Sequence, residues 1–238
     1  ATTLLSRLIG EQYQIPFSPE THYFTYAYVN GRLTPERLPK EVTEEPRVAT
    51  AYSRIGDRSR SVDTFRIMLH EILGDATTIG EKTPAHLTSF PEIRKEDAQV
   101  IAIVIKRDFF EVIESLRKVY WNNASFRTNL RRCVRYHRIA HTTQRQFPDR
   151  LLVVDYQKLC ENEQSVIEAL SKWLPRGEHS DTQKIFDPGV EPWKKNALRA
   201  PEVIKRKVPL QRVHLWFIAK LAFIVSNILW PLKTVHSK

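Results

Sequence analysis

The sequence predicts an α/β protein of a single domain, residues 1–238, in which helices cover both faces of a parallel sheet. Residues 99–105 are apolar and β-branched on both faces of the predicted strand, which is typical of a central strand in a parallel sheet. Strand patterns also alternate with helical patterns along the chain, which favours parallel strands joined by helices. Ligands in such folds bind beyond the carboxyl ends of the strands, so the residues after each strand are the first candidates for a site.

Apolar residues at helical spacing predict the helices, which lie at residues 2–10, 61–73, 110–120, 122–147 and 165–174. Short β-branched runs predict two further strands, at residues 77–79 and 150–154. Pro84 opens a helical turn, because proline suits the first position of a helix. Residues 15–50 and 176–211 are rich in proline and polar side chains, so we expect them to be irregular.

Composition and charge narrow the classes of partner. The chain has 37 lysines and arginines, 27 acidic residues, a net charge of +10 and a pI of about 9.7. It therefore attracts anions, and nucleic acid, anionic lipid and a phosphorylated small molecule are the candidates. With 42% hydrophobic residues the chain is globular, which excludes wholesale disorder. Cys133 and Cys160 form no Cys-x-x-Cys pair, so we expect free thiols in a reducing compartment and a cytoplasmic protein.

Residues 74–83 look like a Walker loop for nucleotide phosphates, but two features exclude it. Five residues rather than four separate Gly74 from Gly80, and Glu81 stands where a glycine should precede the lysine. An acidic side chain there would repel a triphosphate. A nucleotide-dependent kinase, the alternative class of enzyme, would need that loop and a magnesium-binding acid, for which Asp108 is the candidate.

Two constellations could bind phosphate. Thr2 and Thr3 open a helix whose N–H groups can bind an anion, although threonines there also serve as plain caps. Arg107 follows the strongest strand, and Ser115 lies eight residues on, close to two helical turns. Both side chains can then face one cleft. The alternative interpretation is a surface arginine and an ordinary helix serine.

A third constellation could carry a proton. Glu20 and His22 lie two residues apart in the predicted irregular segment, so in an extended stretch their side chains point the same way. Either could act as a general base. The alternative is a solvated carboxylate in a loop.

Together these pieces resemble the sulfotransferases that use 3′-phosphoadenosine 5′-phosphosulfate (PAPS), most closely their bacterial carbohydrate-type and tyrosylprotein branch. The resemblance covers roughly residues 1–160. The matching segments are residues 1–7 (the tail of the 5′-phosphosulfate loop), 20–24, 80–84, 105–108 with Ser115, and 154–159. Two departures are Ala1, where glycine is usual, and Phe109, where proline or glycine is common. We expect the front of the phosphosulfate loop, and any targeting segment, to precede Ala1.

The resemblance implies a P-loop-type parallel sheet and a reaction without a metal, in which PAPS is the donor and 3′-phosphoadenosine 5′-phosphate (PAP) is the product. It implies Glu20 as the base, Lys82 at the transferring group and His22 as the alternative base. The implied donor-binding residues are Thr2, Thr3, Leu4, Arg107, Ser115, Tyr156, Trp193, Lys194 and Lys195. The acceptor would be a hydroxyl of a carbohydrate, a lipid-linked glycan or a small alcohol, and no nucleic acid would be bound.

Two alternatives stay open. The first is a basic, non-enzymatic module that binds polyanions through the arginines of the helix at 122–147, a run that also suits a solvated helix face. The second concerns residues 213–232, which are mostly apolar with Lys220 near the centre, so that spanning a bilayer is disfavoured. This segment is either a helix packed on the domain or a peripheral contact with a membrane. The oligomeric state is open.

Overall fold

The computed structural model describes residues 2–25, 27–29, 32–34, 37–56, 58–119, 122–161, 163–175 and 212–235. The chain divides into two compact units. The first comprises Ala1–Val100 and Leu170–Arg199, and the second comprises Ile101–Ala169 and Ala200–Lys238.

The first unit is mainly helical, with short strands. Its elements in chain order are α1 (Thr2–Tyr13), β1 (Phe17–Ser18), β2 (Tyr28–Val29), β3 (Arg32–Leu33), α2 (Lys40–Thr43), α3 (Pro46–Ile55), α4 (Val62–Leu73), β4 (Gly80–Glu81), a 3₁₀ helix (Pro84–Ser89) and α5 (Phe90–Glu96). β1 pairs with β4 in parallel, and β2 pairs with β3 antiparallel.

Helix α3 corrects the prediction that residues 15–50 are irregular. It begins with Pro46 at its first position, and the side chain of Glu45 caps it by accepting the N–H of Val48 at 2.8 Å. Its buried positions lie at helical spacing and join the main core of the unit. The proline marked the start of a helix here, whereas the composition of the whole segment suggested a loop.

The pairing of β1 with β4 sets the position of the site described below. The register places Phe17 opposite Gly80 and Ser18 opposite Glu81. A Cβ atom on Gly80 would lie 2.5 Å from the ring of Phe17, so only glycine allows this ring to pack on the strand. The strand predicted at residues 77–79 is therefore displaced to 80–81, because the pairing occurs where the partner ring can approach the backbone.

The second unit contains the longer strands. The remaining elements of the chain are β5 (Ala102–Lys106), α6 (Phe109–Leu116), α7 (Phe126–Gln146), β6 (Leu151–Asp155), α8 (Tyr156–Glu161), α9 (Glu163–Leu170) and α10 (Val213–Leu229). β5 and β6 pair in parallel from Ala102 opposite Leu151 to Lys106 opposite Asp155. The first four residues of β6 are buried, as expected of an inner apolar strand.

Helix α10 packs against α6 and α7 around Ala219, which is fully buried. Lys220, which interrupts its apolar sequence, forms an ion pair with Asp108 at 2.9 Å. After the helix, His137 bonds the carbonyl of Trp230 at 2.9 Å, and the N–H of Val235 donates to the carbonyl of Val153 at 2.9 Å. Of the helices described, none is long and apolar enough to cross a membrane.

The fold is thus a mixture of helices with short parallel strands, as predicted in outline. The strands of the described residues form three two-stranded pairs, two of them parallel. One sheet covered by helices on both faces, and one domain, stay predictions. The helix predicted at 110–120 ends earlier, at Leu116, and the one at 165–174 lies at Glu163–Leu170.

Candidate active site

The parallel strands β1 and β4 end side by side, and Glu20 and Lys82, which follow them, are in contact. Because Ser18 is opposite Glu81, Glu20 and Lys82 both lie just beyond the carboxyl ends of the paired strands. The ammonium Nζ of Lys82 donates to Oε1 of Glu20 at 2.9 Å, and Nε2 of His22 lies 3.5 Å from Oε2. The side chain of Lys82 is 9% exposed and that of Glu20 is 27% exposed, so the carboxylate remains accessible to a reactant.

A buried carboxylate, Glu81, ties the two strand ends together. Its Oε1 accepts the backbone N–H of Thr21 at 3.2 Å, the hydroxyl of Thr21 at 2.9 Å and the hydroxyl of Thr83. Its Oε2 accepts the N–H of Thr83 and the Nδ1 of His86, both at 3.0 Å. Thr21 and Thr83 each directly follow a candidate catalytic residue, so this one carboxylate fixes both segments.

The donors around Glu81 keep it ionised. Nε2 of His86 faces the backbone N–H of Phe24 at 3.2 Å, and Nδ1, on the other side of the ring, faces Oε2 of Glu81. Burial acts to raise the pKa of Glu81, but His86 and the hydrogen bonds from Thr83 and Thr21 outweigh it and lower the pKa to about 2. Glu81 therefore acts as a fixed negative charge rather than as a proton carrier.

The turn that carries the candidate base is anchored in the core of the first unit. Tyr23 is fully buried, and its hydroxyl donates to the carbonyl of Ser61 at 3.1 Å and accepts the N–H of Ser61 at 3.2 Å. The hydroxyl of Tyr52 donates to the carbonyl of Thr21 at 2.7 Å. These bonds hold the backbone on both sides of His22, so the side chains between them have a defined direction.

His22 reaches Glu20 by a different route from the one that the sequence suggested. Its φ is 55°, in the left-handed region, so the backbone is not extended here. Its carbonyl accepts the N–H of Thr25 at 3.0 Å, and its own N–H donates to the hydroxyl of Thr83 at 3.2 Å. A tight turn, and not the alternation of a strand, brings the imidazole to the carboxylate.

The arrangement has the components of a proton-transfer site next to a positive charge. The ammonium of Lys82 stabilises negative charge on Glu20, and the imidazole of His22 lies against the second carboxylate oxygen. A carboxylate in this state can accept a proton from a hydroxyl. Once it has done so, the nearly buried ammonium is left with its positive charge to stabilise another anion.

In the second unit, Arg107 directly follows β5, as predicted. Its guanidinium stacks over the ring of Tyr156 with Cζ 4.3 Å from the ring centroid, and its Nε donates to Glu111 at 2.9 Å. Burial raises the pKa of Tyr156, although Arg107 opposes this, so the phenol stays protonated. Ser115 lies four residues after Glu111 on α6, and therefore on the same helix face. The structure places Arg107 just before α6 and Ser115 near the end of that helix.

The N-terminal candidates lie at the start of α1, which begins at Thr2. Thr3 and Leu4 are buried, so Leu4 can offer a ligand only its backbone N–H and not its side chain. The first N–H groups of a helix lack partners within the helix, and this is the basis for an anion site there. Trp193, Lys194 and Lys195 lie outside the described residues.

The exclusion of a Walker loop agrees with the structure. Gly74 ends α4 with a φ of 77°, and Gly80 belongs to β4. Residues 74–83 therefore connect a helix to a strand, whereas a phosphate loop of that type connects a strand to a helix. Cys133 and Cys160 are free thiols, as predicted. Burial raises the pKa of Cys133 to about 12, so it is inert as a nucleophile.

Sequence reasoning missed three residues of the site. Glu81 and Thr83 belonged there to the excluded phosphate loop and to the matching segment 80–84, without a role of their own, and His86 was not singled out. A carboxylate next to a lysine at a strand end is usually exposed, and nothing in the local pattern marks it as buried. Only the spacing Glu81-x-Thr83-x-x-His86, which puts a hydroxyl and an imidazole within reach of one carboxylate, could have indicated the network.

Comparison with known proteins identifies a protein family. A family model described as "Sulfotransferase family" covers residues 1–176, a range that includes both units' candidate residues up to Tyr156. No curated protein and no solved structure matches the chain.

The buried Glu81 network predicts a pH dependence of stability. Because the folded-state pKa of Glu81 is about 2, below the ordinary 4.5, its contribution is complete above pH 5 and is lost as the pH falls from about 4.5 towards 2. The full shift corresponds to about 3 kcal/mol of unfolding free energy. Glu81→Gln should therefore be much less stable than the parent at pH 7, with a gap that narrows towards pH 3.

Urea titrations at a series of pH values measure this gap. Glu44→Gln is the matched control, because the side chain of Glu44 is 61% exposed. Its unfolding curve should follow that of the parent at every pH. An equal slope of stability against pH in the parent and in Glu81→Gln would contradict the role of Glu81.

Proposed function

This chain belongs to the sulfotransferase family, and from that premise we propose that it transfers the sulfuryl group of PAPS to a hydroxyl of a carbohydrate, a lipid-linked glycan or a small alcohol. The observation that carries the proposal is the ion pair of Lys82 with Glu20 at 2.9 Å, with His22 beside it. The three side chains meet at the carboxyl ends of paired parallel strands. Family membership supplies the reaction class, and these contacts support the roles within it.

Glu20 is the proposed general base. Its accessible carboxylate accepts the proton of the acceptor hydroxyl while the hydroxyl oxygen forms its bond to sulfur. PAPS supplies the sulfuryl group, and the bond from sulfur to the bridging phosphate oxygen breaks to leave PAP. The proton ends on Glu20 and the negative charge on the departing phosphate, so the step balances without an oxidant or reductant.

Lys82 couples the proton transfer to Glu20 with the departure of the phosphate. In the resting site its ammonium neutralises Glu20. When Glu20 becomes protonated this pairing weakens, and the ammonium can stabilise the charge that grows on the leaving oxygen. The side chain is only 9% exposed, so water screens this charge weakly.

His22 is the proposed support for the base and its alternative. Its Nε2 lies 3.5 Å from Oε2 of Glu20, and its Nδ1 lies 3.4 Å from the hydroxyl of Thr25. From this position the imidazole can orient the carboxylate or take the proton from it after transfer. The left-handed backbone of His22 makes this placement specific.

Donor binding is proposed on the resemblance to the family. The N–H groups at Thr2, Thr3 and Leu4, with the two threonine hydroxyls, would bind the 5′-phosphosulfate. Arg107 and Ser115 would bind the 3′-phosphate, which distinguishes PAPS from ATP.

The guanidinium of Arg107 suits a phosphate. Among the hydrogen bonds of the described residues, those of Arg107 use only Nε, so its two terminal amino groups can grip a phosphate as a fork. The ring of Tyr156 packs against the face of the guanidinium, which leaves the edge with these amino groups uncovered by the ring. Residues 193–195 are proposed to bind the nucleotide, and this proposal rests only on the resemblance to the family.

A ligand comparison tests the function directly. PAP should raise the thermal unfolding midpoint, whereas ATP and an oligonucleotide should not. A sulfate-transfer assay with PAPS against glycans, lipids, peptides and small alcohols then identifies the acceptor. Stabilisation by ATP and by PAP to the same extent would contradict the choice of donor and favour a kinase.

Glu20→Gln tests the base. The amide keeps the shape of the side chain and removes its basicity, so turnover should fall about 10²–10⁴-fold while PAP binding is kept. Glu11→Gln, on an exposed side chain of α1, is the control and should retain activity. A fully active Glu20→Gln together with an inactive His22→Ala would move the role of base to the histidine.

Lys82→Ala separates transition-state stabilisation from binding. Its interaction grows as the leaving oxygen becomes charged, so kcat should fall more than the affinity for the donor. Steady-state kinetics with varied PAPS measure both, with the exposed Lys95→Ala as control. A rise in the KM for PAPS at unchanged kcat would make Lys82 a binding residue only.

Arg107→Ala tests the 3′-phosphate site. Removing one partner of a charge-assisted contact should weaken PAP binding by roughly 2–4 kcal/mol in titration calorimetry. Arg117→Ala is the matched control, because Arg117 is an exposed arginine at the C-terminal end of α6, paired with Glu114. Equal PAP affinity in the parent and in Arg107→Ala would reject this assignment.

A further inference from the structure

Helix α10 exposes an apolar face along its whole length. Opposite the buried Ala219 and Ser226, its outward positions are almost entirely large apolar side chains. They are Val213, Phe217, Ile218, Leu221, Ile224, Val225, Ile228 and Leu229, with exposures from 42% to 72%. Elsewhere among the described residues, Ile67 is the one exposed large hydrophobic residue. A continuous apolar face of this size marks a contact surface.

Indole rings lie near both ends of the helix rather than on its outward face, and Trp216 packs against the core cluster around Ala219. Trp216 stands in the first turn of α10, and Trp230 follows its last residue. Indole rings favour the boundary between hydrocarbon and water, where their ring is apolar and their N–H is hydrated. The helix contains no acidic residue.

The neighbouring helix α7 adds a row of positive charge. Arg127, Arg131, Arg138 and Arg145 recur at spacings of four or seven residues, so they share one face of α7, and all four are exposed. This row lies next to Val134, which packs in the same cluster as α10, and Arg138 lies over the ring of Trp230 with Cζ 5.8 Å from its centroid. α7 also contains no acidic residue. The apolar face and the positive row are therefore parts of one surface.

We propose that α10 and the arginine row of α7 dock the protein on an anionic lipid surface, with α10 lying in the plane of the interface. The apolar face would enter the boundary of the acyl chains while the arginines contact the head groups. The helix has 17 residues, or about 26 Å at 1.5 Å per residue, which is short of the ~30 Å hydrocarbon core. It suits the interface better than a span.

Two other occupants fit less well. A second copy docked face to face through α10 would repeat the same surface on both sides and bring two arginine rows towards each other. A sulfated glycan would explain the arginines but would leave the apolar face uncovered. An anionic bilayer satisfies both the charge and the apolar surface.

Flotation with vesicles tests the proposal. The full chain should float with vesicles of phosphatidylcholine containing 30% phosphatidylserine, weakly or not at all with pure phosphatidylcholine, and less at 0.5 M than at 0.1 M salt. The double variant Ile224→Ser/Ile228→Ser should lower the partition coefficient about tenfold or more, because both side chains lie outward. Arg131→Gln/Arg145→Gln should lower binding and flatten its dependence on salt.

Ile67→Ser is the matched control, since it removes an exposed isoleucine from the first unit. It should float like the parent, and all variants should keep the circular dichroism spectrum and thermal midpoint of the parent. Absence of flotation on anionic vesicles would overturn the proposal. So would a stable dimer in light scattering that Ile224→Ser/Ile228→Ser dissociates, or binding to heparin that the arginine variant abolishes without any vesicle binding by the parent.

Discussion

The carboxylate of Glu81 is the group on which the candidate active site depends. It is buried, ionised, and bonded to the backbone or side chains of Thr21, Thr83 and His86. Burying a charge without partners is costly, so this arrangement is stable only while every donor is in place. The segments after β1 and β4 are therefore held together as one unit, and Glu20 and Lys82 are fixed next to each other.

Glu81 and Glu20 lie close together but have different roles. Glu81 is surrounded by donors and keeps its charge at any ordinary pH, as its pKa of about 2 shows. Glu20, one residue before Thr21, is partly exposed and has the ammonium of Lys82 and the imidazole of His22 beside it. The first carboxylate is structural and the second is available to a reactant. Environment rather than residue type assigns the two functions.

In the second unit, ion pairs neutralise the charged side chains at the start of α10 and within it. Lys220 interrupts the apolar sequence of α10 and is neutralised by Asp108, whose Oδ1 also caps α6. Arg212 contacts Glu114 in the same way at the start of α10. These ion pairs join the inner side of α10 to α6. The outward side chains of α10 take no part in these pairs. The outward positions of the helix are therefore almost entirely apolar.

The sequence by itself indicated Glu20, His22 and Lys82 as candidate site residues, the longer helices with apolar residues at helical spacing, and the two apolar strands that pair in parallel. It also placed Arg107 at a strand end, because a strand and the residue that follows it are local features. Only the tertiary structure decided that Glu20 contacts Lys82, 62 residues away, because the pairing of two-residue strands leaves almost no local pattern. The burial of Glu81 and the left-handed turn at His22 were likewise decided by tertiary contacts. Each depends on hydrogen-bond partners from distant segments, which the local sequence does not specify.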